Sequence, residues 1–350
     1  MIIRIGKNKI HENSKVYFIA DIAANHDGDI SRAKKLIKLA AQSGANAVKF
    51  QHFKARTIVS DYGFKKSGKI SHQSKWKKSV YQIYDDASLN INWTKTLSKE
   101  AKKYNVDFMT APYDIDYVDE VYKFVKAYKI GSGDVNWRKI ISKISIKKKP
   151  VILATGASNF SEVKSTINLI LKKNKKIVLM QCNTNYTFSE ENFKYINLNV
   201  LNTYKKEFKN RVVLGLSDHT QGHSTVLGAV AIGARVIEKH FTDNNNRKGP
   251  DHYFSMNPKT WAEMVKETRR LENAMGNGKK IVEKNETKTN FIQRRGSYAA
   301  RNLEKNEIIK SDDLIFLRPY FKGSLSPFTN KKTFGKAKKH INKGEFIFKK

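Results

Sequence analysis

Short apolar runs alternate with longer amphipathic segments along the chain as far as about Gly278. The runs are short and rich in β-branched residues, like buried parallel strands, whereas the longer segments repeat apolar residues at helical spacing. The predicted strands are Val16–Asp21, Ala47–Gln51, Val106–Thr110, Ala127–Gly131, Val151–Thr155, Ile177–Gln181, Val212–Leu216 and Arg235–His240. The predicted helices are Ser31–Ser43, Thr94–Tyr104, Ile115–Lys126, Asn136–Ser145, Ser161–Lys173, Glu190–Phe208, Ser224–Gly233 and Pro258–Met275.

Each predicted strand is followed by a predicted helix. This alternation is typical of an α/β protein, and eight such repeats predict a (β/α)8 TIM barrel. An open doubly wound sheet is the alternative architecture, but no Gly-x-Gly-x-x-Gly string follows a strand to support it.

The pattern changes after residue 278, where the chain becomes polar and then Lys-rich. Farther on, short strand-like pieces alternate with turns, and the string that begins at Asn302 (Asn-Leu-Glu-Lys-Asn-Glu-Ile) is echoed from Ile341 (Ile-Asn-Lys-Gly-Glu-Phe-Ile). We therefore expect a barrel domain at 1–278, a linker at 279–289 and a small β-rich domain at 290–350. So small a domain buries a marginal core, so we expect it to lean on a larger surface.

The composition narrows the class of protein. Hydrophobic residues make up 39% of the 350 residues, which is ample for a packed core and excludes a wholly disordered chain. No apolar run approaches the roughly 20 residues that a membrane-spanning helix needs. The single cysteine, Cys182, cannot form an internal disulfide, so a reducing cytoplasmic location is expected, and we interpret Cys182 as barrel lining.

The formal net charge of +35 raises the question of a polyanionic partner. Lysine far outnumbers arginine, the basic runs are short, and many lysines lie on the polar faces of predicted helices. Because nucleic-acid contacts favour arginine, we expect solvated lysine faces and no nucleic-acid or membrane partner. A positive field that steers anionic substrates is compatible with the same charge.

In a barrel of this kind the chemistry lies at the carboxyl ends of the strands. The first predicted strand ends in the acid Asp21, and the second ends in Val48-Lys-Phe-Gln. Lys49 and Gln51 are two residues apart, so both face the interior if Val48 and Phe50 face out. An ammonium group inside a barrel is costly unless an anion compensates it, so Lys49 is a candidate ligand-binding residue.

The fourth and fifth predicted strands end in glycine-rich turns that carry Ser132 and Gly156. Backbone N–H groups in such turns suit a phosphate or a carboxylate, and together with Lys49 and Lys129 they indicate a pocket for an anion. Tyr186, in the loop after the sixth strand, either binds a ligand or packs within the loop.

His219 and His240 close the seventh and eighth predicted strands. Two imidazoles at adjacent strand ends are a candidate pair of ligands for a divalent metal, with positions left open for a substrate. Asp251 follows on the next loop, where it is a candidate base or holder of a metal-bound water.

These motifs together resemble those of the sialic acid (N-acetylneuraminate) synthase family, and the resemblance covers nearly the whole chain. The strings that carry it are Asn25-His, Val48-Lys-Phe-Gln, Lys129-Ile-Gly-Ser-Gly, Gly215-Leu-Ser-Asp-His-Thr, Glu238-Lys-His-Phe-Thr, Gly249-Pro-Asp and Ser255-Met-Asn-Pro. The small terminal domain resembles the antifreeze-like (SAF) domain of the same enzymes through its Lys-Asn-Glu and Lys-Gly-Glu turns and through Arg318-Pro.

The resemblance implies a synthase that condenses phosphoenolpyruvate with an N-acyl-mannosamine-type sugar and releases phosphate. It implies that a divalent metal, Mn²⁺ first with Mg²⁺ or Co²⁺ as alternatives, is bound by two residues: His219 and His240. The positions that match those around phosphoenolpyruvate are Lys49, Lys129, Ser132, Tyr186 and Ser217. The positions that match those near the sugar are Gln51, Asp251 and Asp21, together with Arg318, which the partner subunit of a domain-swapped homodimer supplies.

The chain also departs from the family pattern on the sugar side. Asp21 stands where the family usually has Glu, the residues after Arg318-Pro are not the usual Gly-rich run, and the loop after Tyr186 lacks the usual Pro. These changes leave the acceptor open, and a diamino-dideoxy hexose that yields a legionaminic- or pseudaminic-type acid is one alternative. A deoxy-octulosonate phosphate synthase and a non-catalytic basic binding module are the competing hypotheses for the function as a whole.

Overall fold

The computed structural model describes residues 1–68, 70, 73 and 76–348. The chain divides into two compact units, Met1–Gly276 and Asn277–Lys350. Within the described ranges, no helix is both long enough and apolar enough to cross a bilayer.

The first unit begins with a hairpin that the sequence analysis did not predict. Its strands β1 (Ile3–Ile5) and β2 (Asn8–Ile10) are antiparallel and so short that they show little periodicity. The apolar side chains of both strands pack with those of the lower barrel interior. Gly6 has a φ of +53° in the turn, and a Cβ there would collide with the carboxylate of Asp107, so both conformation and space require glycine.

Eight parallel strands form a closed barrel, which confirms the predicted (β/α)8 architecture. The strands are β3 (Tyr17–Asp21), β4 (Ala47–His52), β5 (Asp107–Pro112), β6 (Tyr128–Ile130), β7 (Val151–Ala154), β8 (Ile177–Cys182), β9 (Val213–Asp218) and β10 (Val236–His240). Closure occurs between β10 and β3, where His240 is in register with Asp21, and Asp21 is in register with Lys49 of β4. Three polar residues of the candidate site therefore lie side by side at one end.

Strand residues alternate between two cores. Val48 and Phe50 of β4 belong to the large cluster between the strands and the helices, so the intervening Lys49 faces the barrel interior, as predicted. Below Lys49 the interior is apolar and includes Ile19, Met109 and others beside the hairpin. The interior is thus apolar at the amino-terminal end of the barrel and polar at the carboxyl ends of the strands.

The helices of the first unit are α1 (Ile30–Gln42), α2 (Ala55–Ile58), α3 (Asp61–Ser67), α4 (Val80–Asp86), α5 (Thr94–Lys103), α6 (Tyr117–Glu120), α7 (Arg138–Ile146), α8 (Phe160–Leu171), α9 (Val200–Phe208), α10 (Ser224–Ile232) and α11 (Pro258–Ala274). Local sequence fixes several of their starts. Asn159 and Glu162 form a capping box at α8, and Asn257 caps α11 immediately before Pro258.

Two predicted helices are wrong in extent. The segment Ile115–Lys126 forms only α6 followed by turns, and its later carbonyl groups at Tyr122 and Val125 accept hydrogen bonds from the Lys149 ammonium. The segment Glu190–Phe208 is divided into a 3-10 helix and α9. Asn197 lies between them with a φ of +49°, a conformation that ends a right-handed helix and that asparagine tolerates.

The second unit is β-rich. Its elements are α12 (Thr287–Gln293), β11 (Gly296–Ala299), β12 (Ile308–Lys310), β13 (Leu314–Leu317) and β14 (Thr333–Lys336). β11 pairs with β13 and β12 with β14, both antiparallel. The two echoed strings meet at Leu303 and Ile341, which form an isolated antiparallel bridge and pack in the unit's small core.

The buried hairpin should contribute to barrel stability. Ile5 is fully buried, so Ile5→Ala should lower the free energy of unfolding by about 2–5 kcal/mol. Ile2, which is 68% exposed, is the matched control, and Ile2→Ala should change it by less than about 0.5 kcal/mol. All four tryptophans precede Asn277, so urea unfolding followed by tryptophan fluorescence reports on the first unit. Equal losses in the two variants would contradict the packing of the hairpin.

Candidate active site

The polar layer inside the barrel is a network of buried ion pairs. The Lys49 ammonium lies 2.7 Å from a carboxylate oxygen of Asp21, and the Lys129 ammonium lies 2.6 Å from one of Glu238. Lys49 is also 3.9 Å from Glu238, which joins the two pairs, and the Ser217 hydroxyl donates to Glu238 over 3.2 Å. All five side chains are buried, so the network balances two positive and two negative charges away from water.

The network shifts the pKa values of its members. Burial alone would raise the pKa of Glu238, but the ammonium groups of Lys129 and Lys49 lower it to about 2. Burial alone would lower the pKa of Lys49, yet the carboxylates of Asp21 and Glu238 raise it. Burial raises the pKa of Asp21, against the opposing effect of Lys49. Glu238 and Lys49 are therefore charged near pH 7, and Asp21 is the carboxyl group of the network that is protonated more readily.

The two lysines therefore differ from a simple anion-binding pair, because protein carboxylates already compensate them. The predicted free N–H group of Gly156 is also engaged, since it donates to the Ser132 hydroxyl over 2.9 Å. An incoming anion would compete with Asp21 and Glu238 for the ammonium groups. One oxygen of Glu238, Oε2, is buried without a hydrogen-bond partner.

The two histidines meet above this network. Their ring centroids are 5.4 Å apart, and Tyr186 packs on His219 with a centroid distance of 4.3 Å. The His219 Nδ1–H donates to the Asn183 carbonyl over 2.8 Å, which leaves the lone pair on Nε2. Burial lowers the pKa of each histidine to about 3, so both rings are neutral near pH 7.

The donor set fits a metal with two protein ligands. Neutral imidazole is the form that binds a metal, and Nδ1 of His240 is buried without a hydrogen-bond partner. The Asn183 carbonyl orients the His219 ring, as outer-sphere partners do at metal sites. The described residues contain no group of three or more His, Cys, Asp or Glu side chains arranged for a metal ion. Any further ligands would come from water or substrate.

Asp251 lies on the loop after β10, and its side chain approaches His240. Its Oδ2 is 3.9 Å from His240 Nδ1 and accepts the Ala24 N–H over 3.2 Å. The Ser255 hydroxyl donates to the Asp251 carbonyl over 2.6 Å, and Asn25 donates to that hydroxyl, so the two loops hold Asp251 in place. Burial raises the pKa of Asp251 to about 7. It is thus a carboxyl group suited to both taking and giving a proton.

A cavity of about 430 Å³ opens at the same end of the barrel. The predicted site residues in its lining are Gln51, Ser132, Tyr186, His240 and Asp251. Lys49, Lys129 and Ser217 belong to the polar layer beneath. The segment that contains α2 and α4 adds an apolar wall made of Ile58, Trp76, Ile83, Tyr84 and Ala87.

Two further residues of the site were missed by the sequence analysis. Glu238 lies two residues before His240 on the same strand, so strand alternation could have placed it inside the barrel. Asp134 also lines the cavity, and burial raises its pKa to about 6. No sequence signal distinguished Asp134 from an ordinary turn residue. Arg318 belongs to the second unit, where its side chain is exposed just after β13.

The closed barrel with a buried charged site at the carboxyl ends of its strands defines a TIM-barrel enzyme. Comparison with known proteins gives its family. The model of the NeuB family matches residues 36–280, and the chain belongs to this family. The predicted class, a nonulosonic acid synthase of the sialic acid type, is confirmed.

Several relatives are named as synthases of this class. N,N'-diacetyllegionaminic acid synthase of Campylobacter jejuni is 37% identical over 312 residues, covering 87% of this chain and 91% of the relative. Pseudaminic acid synthase of the same species is 31% identical over 341 residues, covering 96% of each chain. Among solved structures, the N-acetylneuraminic acid synthetase of Leptospira borgpetersenii matches with a TM-score of 0.71 and 28% identity, covering 83% of this chain and 95% of that one.

The charge network should be essential to barrel stability. Glu238→Gln removes the charge that compensates Lys129 and part of Lys49, so the free energy of unfolding should fall by about 3–5 kcal/mol. Urea unfolding followed by tryptophan fluorescence measures this loss. Glu207→Gln is the control, because it breaks an ion pair with Lys164 at the surface and should leave stability nearly unchanged. Similar behaviour of the two variants would contradict the role given to Glu238.

Proposed function

We propose that this enzyme condenses phosphoenolpyruvate with an N-acyl-mannosamine-type aldose to give a nine-carbon 2-keto-3-deoxy acid and phosphate. The observation that carries the proposal is the buried network of Asp21, Lys49, Lys129 and Glu238 beside two neutral imidazoles at the barrel mouth. The names of the relatives support the same class of product.

The lysine side of the site suits the anionic substrate. Phosphoenolpyruvate carries a phosphate and a carboxylate, and the ammonium groups of Lys49 and Lys129 are the buried cations available to them. The hydroxyls of Ser132, Tyr186 and Ser217 are additional polar groups for its oxygens. When these groups are fixed in a dry site, they stabilise the charge that returns to phosphate as it leaves.

The sugar side is formed by Gln51, Asp251, Asp21 and Asp134. The enol carbon of phosphoenolpyruvate attacks the aldehyde carbon of the open-chain sugar, and a proton is needed at the new hydroxyl. Water then adds to C2 and loses a proton, after which the C2–O bond to phosphate breaks and the keto group forms. Asp251 and Asp21 are the carboxyl groups placed to give and take these protons.

We assign His219 and His240 as the protein ligands of a divalent metal, with Mn²⁺ first and Mg²⁺ or Co²⁺ as alternatives. When bound, such an ion acts as a Lewis acid that polarises the aldehyde carbonyl. His240 and Tyr186 border the cavity, and Tyr186 packs on His219 behind it, so these rings limit the orientations of the sugar.

The second unit completes the proposal. Its β-rich fold and the Arg318-Pro motif support its assignment as a SAF domain, whose Arg318 enters the sugar pocket of the partner subunit in a homodimer. The enzyme then acts in the cytoplasm, where phosphoenolpyruvate is produced. These assignments follow from the family resemblance and remain predictions.

A specific observation favours one acceptor sugar over N-acetylmannosamine. Ile58, Ile83 and Ala87 present aliphatic carbon along one wall of the cavity. Compared with N-acetylmannosamine, a 2,4-diacetamido-2,4,6-trideoxy hexose has a methyl group in place of the hydroxymethyl group at C6 and an acetamido group in place of the hydroxyl at C4. Both methyl groups suit an apolar wall. The relative of highest identity quoted above is named for the corresponding acid.

Phosphate release tests the reaction. The purified enzyme should release phosphate only when phosphoenolpyruvate, a divalent ion and an acceptor aldose are all present. His219→Ala and His240→Ala should each reduce turnover by at least about 10³-fold and lower the metal content measured by mass spectrometry. Undiminished turnover in both variants after chelation would contradict the metal assignment. Absence of phosphate release by the wild type with every acceptor would contradict the proposed reaction itself.

The apolar wall should decide between acceptors. For the wild type, kcat/KM for 2,4-diacetamido-2,4,6-trideoxymannose should exceed that for N-acetylmannosamine by about 10- to 100-fold. Ile83→Ser should reduce this ratio, because the hydroxyl gives the sugar's own hydroxyl a partner, whereas Ile2→Ser at the exposed amino terminus should not. An equal or inverted wild-type ratio would refute the preference and leave the reaction class intact.

A further inference from the structure

The fold concentrates positive charge at the amino-terminal end of one half of the barrel. Four segments lead into β6, β7, β8 and β9, and we call their joint surface the basic rim: residues 121–127, 147–150, 172–176 and 209–212. They contain ten lysines and one arginine but no aspartate or glutamate. The corresponding segments before the other four strands, residues 11–16, 43–46, 104–106 and 233–235, contain only Lys15 and Arg235 as basic residues, with Glu12. A lysine-rich composition alone would not produce this difference.

Side-chain contacts join the segments of the basic rim. The Lys149 ammonium donates to the Val125 carbonyl over 2.7 Å, and the Asn174 amide donates to the Lys149 carbonyl over 2.7 Å. The Lys176 ammonium donates to the Lys148 carbonyl over 3.1 Å. The first three segments of the rim therefore form one continuous surface.

Much of this charge is not compensated by the protein. Lys172, Lys173 and Lys175 are exposed, and within the described part of the chain none of them forms an ion pair with a carboxylate. Helix dipoles do not require the charge, because α1 and α10 end without a basic residue in the last turn. The basic rim is therefore not a requirement of the barrel fold.

Two apolar side chains are exposed within or beside the rim. Ile146, at the end of α7 immediately before Lys147, is 55% exposed, and Tyr122 is 40% exposed. The Lys149 ammonium lies 4.2 Å from the centre of the Tyr122 ring. Exposed aliphatic and aromatic side chains among lysines are the combination by which peripheral proteins bind an anionic bilayer.

We propose that the basic rim binds the surface of an anionic membrane, which departs from the expectation of no membrane partner that the lysine-rich sequence alone suggested. Lysine outnumbers arginine ten to one there, and it is a hydrated point charge that suits lipid phosphates better than the planar, stacked contacts of nucleic-acid recognition. The candidate active site lies at the opposite end of the barrel, because it occupies the carboxyl ends of the strands. Bound in this way, the enzyme keeps its cavity open to the solution. The inference is independent of the proposed reaction.

Co-sedimentation of the full chain with lipid vesicles tests the proposal. Vesicles with one third phosphatidylglycerol should bind the protein at 0.1 M salt, vesicles of pure phosphatidylcholine should not, and 0.5 M salt should release it. Changing Lys172, Lys173, Lys175 and Lys176 together to Glu should lower the partition coefficient by at least about 100-fold. The matched control changes Lys15, Lys38, Lys259 and Lys266 to Glu, which alters the net charge equally but elsewhere, and should keep most of the binding.

Three outcomes would overturn the membrane proposal. Absence of binding to the anionic vesicles refutes it, and so does equal weakening by the two quadruple variants, which would show an effect of net charge alone. Binding of a 20-base RNA through the rim without binding to vesicles would assign the surface to nucleic acid instead. Unchanged circular dichroism of both variants shows that the differences arise from the surface.

Discussion

The site depends on the mutual neutralisation of four charges inside the barrel. Asp21, Lys49, Lys129 and Glu238 are too costly to bury singly, and each is tolerable only because a partner on another strand meets it. The closed register between β10, β3 and β4 brings three of them together. A bound anion could take the place of Asp21 or Glu238 without leaving a lysine unpaired, so in the proposed reaction the network that stabilises the fold also binds the substrate.

The barrel was predictable because its elements repeat a strong pattern. Strand runs such as Val151–Ala154 are apolar on both faces, and helices such as α8 carry clear caps. Prediction failed where elements are short or where asparagine interrupts a pattern. Helices α2 and α6 have only four residues each, too few to show helical periodicity. The hairpin was missed for the same reason, although its isoleucines are completely buried.

Part of the candidate site could be predicted from the residues at the strand ends. Alternation placed Lys49 inside the barrel, and matching strand positions placed His219 beside His240. The ion-pair partners could not be predicted from the sequence, because Lys129 and Glu238 are 109 residues apart and meet only through barrel closure. The raised pKa of Asp134 depends on burial, which sequence position did not indicate. The roles of these residues, and the place of Arg318, remain predictions.

The hairpin β1–β2 has a consequence for kinetics. It fills the lower end of the barrel with isoleucine side chains, so in the described part of the chain the polar layer opens toward the opposite mouth, where the cavity lies. A ligand held against Lys49 and Lys129 must enter before any molecule that occupies the cavity above it. In the proposed reaction this shared entrance imposes an order of binding, in which the ligand beside the two lysines binds first.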